Sequence, residues 1–241
     1  MILFALALQA AAVDTEACAK QAQGDPVAAE RAAERWALAG GAHAAQQCRG
    51  IALAAQARYP EAAGAFEAAA RAAELAKDTA AASYWAQAGN AWLAGQQPAK
   101  ARTALDAALA AGTLGGLERG EAQLDRARAL VATNDLKGAR VDLDAATANA
   151  SDDPLGWLLS ATLSRRMNDQ ARATADIAQA LRLAPDDASV QLEAGNIAAL
   201  AGDEARAKAA WTEAARLAPV GPAGQSAAKA LAQFAVMPAK N

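Results

Sequence analysis

A period of 34 residues runs through the second half of this chain and limits what it can fold into. Segments 120–153, 154–187 and 188–221 align without a gap, and each reads as helix, short turn, helix. The landmarks in 188–221 are Gly195-Asn196, Gly202-Asp203, Ala207, Trp211, Ala214 and Pro219. A unit this short cannot bury the apolar faces of two helices alone. It buries them against its neighbours, and the array is then a solenoid. Weaker copies occupy 43–76 and 82–115, and a degenerate one occupies 13–42, with Trp36 out of register. An array of this kind makes a surface for holding other molecules and brings no chemistry of its own.

Small residues set the packing. Gly or Ala recurs at the eighth position of each unit (Gly50, Gly89, Ala127, Ala161, Gly195), and Ala at the twentieth (Ala62, Ala101, Ala139, Ala173, Ala207). The eighth position is expected to face the twentieth, so that the two helices approach closely. Trp85, Trp92, Trp157, Trp211 and Phe66 fill the space beside them. Alanine is the best intrinsic helix former. Runs of alternating β-branched or aromatic residues are absent and aromatic content is 4%, so the chain reads as all-α. Pro26, Pro60 and Pro98 mark the starts of second helices. Asp152-Asp153 before Pro154, and Asp186-Asp187 after Pro185, cap first helices. Residues 77–81 fall outside the period and predict a longer second helix across Glu74–Thr79. Gly115-Gly116 predicts a loop, and 222–241 reads as a capping helix and tail.

The order of landmarks resembles the tetratricopeptide repeat family: large residue, Gly or Ala, aromatic, Ala, aromatic, Ala, Pro. Segment 154–187 supplies Trp157, Ala161, Ala173, Ile177, Ala180 and Pro185. Segment 82–115 supplies Trp85, Gly89, Trp92, Ala101, Leu105 and Ala108. The resemblance implies a right-handed superhelical solenoid with a C-terminal capping helix. It also implies a concave groove lined by the first helix of each unit. Carried onto this sequence, the groove positions include Gln47 and Ile51; Asn90 and Leu93; Leu124, Arg128 and Val131; Leu155, Leu158, Thr162, Arg165 and Arg166; Leu192 and Asn196. In groove-binding relatives an Asn at the place of Asn90 and Asn196 hydrogen-bonds a peptide backbone or terminal carboxylate, since an amide both donates and accepts. Arg128, Arg165 and Arg166 suit carboxylates. Chaperone-tail-binding relatives carry a Lys where this chain has Ala86, so a terminal-carboxylate clamp is not implied. Two other readings stand beside these: a solvated face for the polar positions, and contact between repeats for Leu93, Leu124, Leu158 and Leu192.

In this register Cys18 and Cys48 lie on first helices of adjacent units at similar height. That arrangement allows a disulfide; the other reading is two buried thiols acting as small apolar residues. The N-terminal run Ile2–Leu8 followed by Ala10-Ala11-Ala12 resembles a secretory signal at 1–12, cleaved to leave Val13, although a basic stretch is missing. An ordinary first helix is the alternative. Export together with a disulfide points to a bacterial periplasm, and the cytoplasm is the other reading. No apolar run approaches the roughly 20 residues of a transmembrane span.

Net charge is −3 and the pI about 5.3, which argues against nucleic acid as partner. His43 is the sole histidine and reads as solvated near Gly40-Gly41. No phosphate-binding loop, nucleophile elbow or metal-ligand spacing occurs, and Asp142–Asp144 and Asp186–Asp187 read as helix surface or caps. The expected function is a non-enzymatic scaffold or adaptor without cofactor or metal, holding a protein or peptide in its groove. The alternatives are a self-associating structural protein, forming a homo-oligomer, and an accessory module of a separate envelope enzyme or secretion complex.

Overall fold

The computed structural model describes residues 15–236. The segment 1–12, read as an export signal, lies outside the described residues. The chain divides between Glu118 and Arg119 into two compact units. The first contains α1 (Thr15–Gly24), α2 (Pro26–Leu38), α3 (Ala42–Ala55), α4 (Tyr59–Leu75), α5 (Ala81–Ala94) and α6 (Pro98–Ala110). The second contains nearly all of α7 (Gly116–Ala132), then α8 (Leu136–Asn149), α9 (Pro154–Arg166), α10 (Gln170–Leu183), α11 (Ala188–Leu200), α12 (Glu204–Leu217) and α13 (Pro222–Val236). No strand occurs among the described residues. None of the described helices is long and apolar enough to cross a membrane.

The five hairpins from α3–α4 to α11–α12 each turn on one left-handed residue. Ala57, Gln96, Asn134, Asn168 and Gly202 occupy the fifteenth position of their units with φ of 57°, 57°, 63°, 61° and 77°. The next residue is the N-cap of the second helix. In the second unit it is an aspartate: Asp135, Asp169 and Asp203 accept from the backbone N–H of Gly138, Arg172 and Arg206. Each thereby satisfies one of the orphan donors of a helix start. In the first unit Arg58 and Gln97 stand there without a side-chain cap, and Pro60 and Pro98 supply the start instead.

The residue lying over the small eighth position is the large one at the twenty-fourth. A Cβ on Gly50 would come within 2.6 Å of the Phe66 ring. Gly89 meets Leu105, and Gly195 meets Trp211, in the same way. The expected facing of the eighth and twentieth positions is corrected accordingly: Ala62, Ala101, Ala139, Ala173 and Ala207 are fully buried, while the twenty-fourth side chain makes the close approach. Where the eighth residue is Ala127 or Ala161, the twenty-fourth is Leu143 or Ile177.

Two boundary expectations also change. Helix α4 is long, at 17 residues, but stops at Leu75, because Lys77 turns left-handed and the Asp78 carboxylate accepts from the Ala80 N–H. Helix α7 already starts at Gly116, so the loop there is shorter than the glycine pair suggested. Helix α13 packs on α11 and α12, with Phe234 edge-on to Trp211 at 5.6 Å between centroids. Cys18 on α1 and Cys48 on α3 form a disulfide with a Cα–Cα distance of 5.7 Å, covered by Ala33 and Trp36.

Candidate functional site

A cleft in the second unit opens between α7 and α9, with Leu143 of α8 beneath. Its volume is about 150 Å³. Val131 and Leu159 make an apolar floor, and Arg128, Thr162 and Arg166 stand around it. These three polar residues recur on one face because α7 and α9 are first helices in the same register, and Arg128 and Thr162 share the ninth position. Arg128 donates to the Asp125 carboxylate at 2.8 Å. The Thr162 hydroxyl donates to the Leu158 carbonyl at 2.9 Å, which leaves its oxygen free to accept. Arg166 is exposed at the end of α9. Two guanidinium groups beside an apolar floor can hold a carboxylate next to an aliphatic side chain.

The first unit has a cleft of about 330 Å³ between α3 and α5, lined by Ile51, Tyr59, Phe66, Gln87 and Asn90. Gln47 donates to Gln87 at 3.2 Å, and Gln87 donates to Ser83 at 3.3 Å, so both amides belong to a ladder across the two helices. Asn90 is exposed and Leu93 half-buried.

Other expected groove residues are engaged within the fold. Arg165 donates to both oxygens of the buried Glu193, at 2.6 and 3.2 Å. Asn196 donates to Glu193 at 3.2 Å and accepts from the Trp211 indole at 3.1 Å. This chain of bonds joins α9, α11 and α12. Leu124 is buried in the core shared by α7, α8 and α9, Leu158 packs on the core of α9–α11, and Leu192 lies against the Trp211 cluster. Among the expected residues, the fold therefore brings Arg128, Val131, Thr162 and Arg166 to one cleft and Ile51 and Asn90 to another.

Two side-chain readings are corrected. Asp142 is not on the surface: it is 3% exposed and accepts from Nη2 and Nε of Arg126, at 2.6 and 2.7 Å. His43 is half-buried and partnered rather than free in solvent. Its Nδ1 lies 3.2 Å from the Tyr84 hydroxyl and its Nε2 3.3 Å from Asp78, which ties α3 to the α4–α5 connection and to α5. Burial, with Asp78 nearby, pushes the Tyr84 hydroxyl above the usual tyrosine range.

A third cleft carries no residue expected to bind. It lies between the second helices α10 and α12, over α11, with a volume of about 510 Å³. Ile177, Leu181 and Ile197 form its apolar walls, and Thr174, Gln191 and Arg206 its edge. Sequence reasoning missed it because it arises from alanines, which carry no chemical signal.

No family model matches the sequence, and no curated protein matches it. Solved structures do. The pilus biogenesis factor PilW superposes with a TM-score of 0.72 at 18% identity, over 88% of this chain and 95% of that one. PilF of Pseudomonas aeruginosa gives 0.71 at 14% identity, over 90% and 97%. YrrB, a tetratricopeptide repeat protein with an unusual peptide-binding site, gives 0.58 at 19% identity, over 77% and 91%. At such identities the likeness establishes the fold, and the fold is that of tetratricopeptide repeat proteins.

Proposed function

We propose that this chain is a non-enzymatic scaffold that holds an acidic, partly aliphatic peptide segment of another protein in the α7–α9 cleft. The observation that carries the reading is the apolar Val131–Leu159 floor with Arg128 and Arg166 beside it. Arg128 and Arg166 receive the carboxylate, Thr162 accepts a backbone N–H, and an aliphatic side chain rests on the floor. The peptide-binding site of YrrB, on the same fold, supports a peptide as the occupant. The Cys18–Cys48 bridge supports an oxidising compartment, the bacterial periplasm. The likeness to PilW, a type IV pilus biogenesis factor, supports envelope assembly as the setting.

The test is a fluorescence-anisotropy titration against labelled peptides of matched hydrophobicity and opposite charge. Acidic peptides should bind and basic ones should not. Arg128→Glu with Arg166→Glu should lower affinity at least about tenfold, equivalent to about 1.4 kcal/mol, without changing the oligomeric state. Equal binding of both peptide classes, or an unaffected double variant, refutes the proposal.

A further inference from the structure

The α10–α12 cleft can be compared with the place one period earlier, between α8 and α10. There the same register positions are filled. Arg140 reaches across from α8 and donates to the hydroxyls of Ser160 and Ser164, at 2.7 and 3.2 Å. The Ser160 hydroxyl donates to Asp176. Arg140 also pairs with Asp144 at 3.0 Å. Arg172 sits beside two carboxylates, Asp144 and, at 3.5 Å, Asp176. Ser160, Ser164 and Asp176 are buried.

One repeat later the register substitutes Thr174 for Arg140, Ala178 for Asp144, Ala194 for Ser160, Ala198 for Ser164 and Ala210 for Asp176. All five line the 510 Å³ cleft. The space that a guanidinium and its partners fill in one repeat is open in the next, with its walls turned from polar to apolar. One member survives: Arg206 stands where Arg172 stands, also on the cleft. It has lost both equivalent carboxylates and pairs at 3.2 Å with Asp203, the N-cap of α12, which also lines the cleft; the Arg206 side chain is 82% exposed.

We propose that this cleft binds a medium-chain alkanoate. The alkyl tail lies against Ile177, Leu181 and Ile197, in the volume left by the missing Arg140 equivalent. The carboxylate takes the place of the missing aspartates beside Arg206, as a charge-assisted hydrogen-bond acceptor. The volume is within the range of small-ligand pockets, and the combination of apolar walls with one polar anchor is their usual composition. The cleft lies between second helices over α11 and shares no residue with the α7–α9 site, and the inference does not depend on what that site holds.

Calorimetric titration with sodium decanoate, kept below its micelle concentration, tests it. Saturable binding of one decanoate per chain is expected, with decylamine at least about tenfold weaker and Arg206→Ala reducing decanoate affinity by a similar factor. A variant that copies the preceding repeat (Thr174→Arg, Ala178→Asp, Ala194→Ser, Ala198→Ser, Ala210→Asp) closes the space and should not bind. Should that variant fail to fold, Ala178→Trp obstructs the cleft from its exposed edge and should abolish binding equally. The proposal is overturned by an absence of saturable binding to the unmodified protein. Equal affinity for decylamine, or binding that survives in the folded blocked variants, overturns it as well.

Discussion

Ala57 and Gln96 turn their hairpins at positive φ, where Gly202 does the same at little cost. A left-handed L-residue costs about 1–2 kcal/mol, and a new glycine returns about 0.5–1 kcal/mol of that through chain entropy. Ala57→Gly and Gln96→Gly should therefore each stabilise the protein by roughly 0.5–1 kcal/mol in urea titrations. Asn168→Gly should change little, because Asn tolerates this conformation. A loss of stability at Ala57 or Gln96 would contradict the turn geometry. The eighth and twenty-fourth positions give a sharper test. Gly195→Ala places a methyl into the Trp211 indole and should cost about 1–3 kcal/mol by overpacking. Adding Trp211→Ile recreates the Ala161–Ile177 pair of the preceding repeat and should recover part of that loss, so the two changes are non-additive. The small-residue positions were legible in the sequence. Their facing partners were not, because a period fixes where a residue recurs and not which residue lies across from it.

At the level of helices, prolines and aspartates announced several starts: α2, α6 and α9 begin at Pro26, Pro98 and Pro154, and Asp153 and Asp187 cap as read. Buried charge was less legible. Asp142 looks like surface until Arg126 on the facing helix is known, and Arg165 looks like groove until Glu193 two helices later is known. Both depend on contacts the local pattern does not encode. The α10–α12 cleft was illegible for the opposite reason, since a void is made of what is missing. The disulfide was readable because the register placed Cys18 and Cys48 on α1 and α3. It closes a loop with a sequence separation of 30. On the chain-entropy account, which is model-dependent, such a loop contributes roughly 3–4 kcal/mol. Cys18→Ala with Cys48→Ala should lower unfolding free energy by about that amount. Hydrogen exchange should rise mainly in α1 and α2, because the bridge fastens α1 to α3 and α2 packs between them. Unchanged protection there would mean that burial of Ala29, Ala33 and Ala52 already holds the first hairpin.

The division of the chain between Glu118 and Arg119 was not legible in the sequence, because Gly115-Gly116 read only as a loop and repeats of one kind read as one array. Each unit has apolar clusters of its own. In the second these are the Leu124–Leu143 core, the Ile177–Val190 core and the Trp211–Ala227 core. That unit also holds three helix pairs and α13, and about three repeats suffice for a stacked core to be stable. A fragment of residues 116–241, keeping α7 intact, should therefore fold alone. The expected result is a helical circular dichroism spectrum and one cooperative urea transition. Cooperativity is the decisive readout, because an alanine-rich chain can show some helicity without a packed core. A gradual, sloping urea curve would mean that these clusters close only with help from residues before 116.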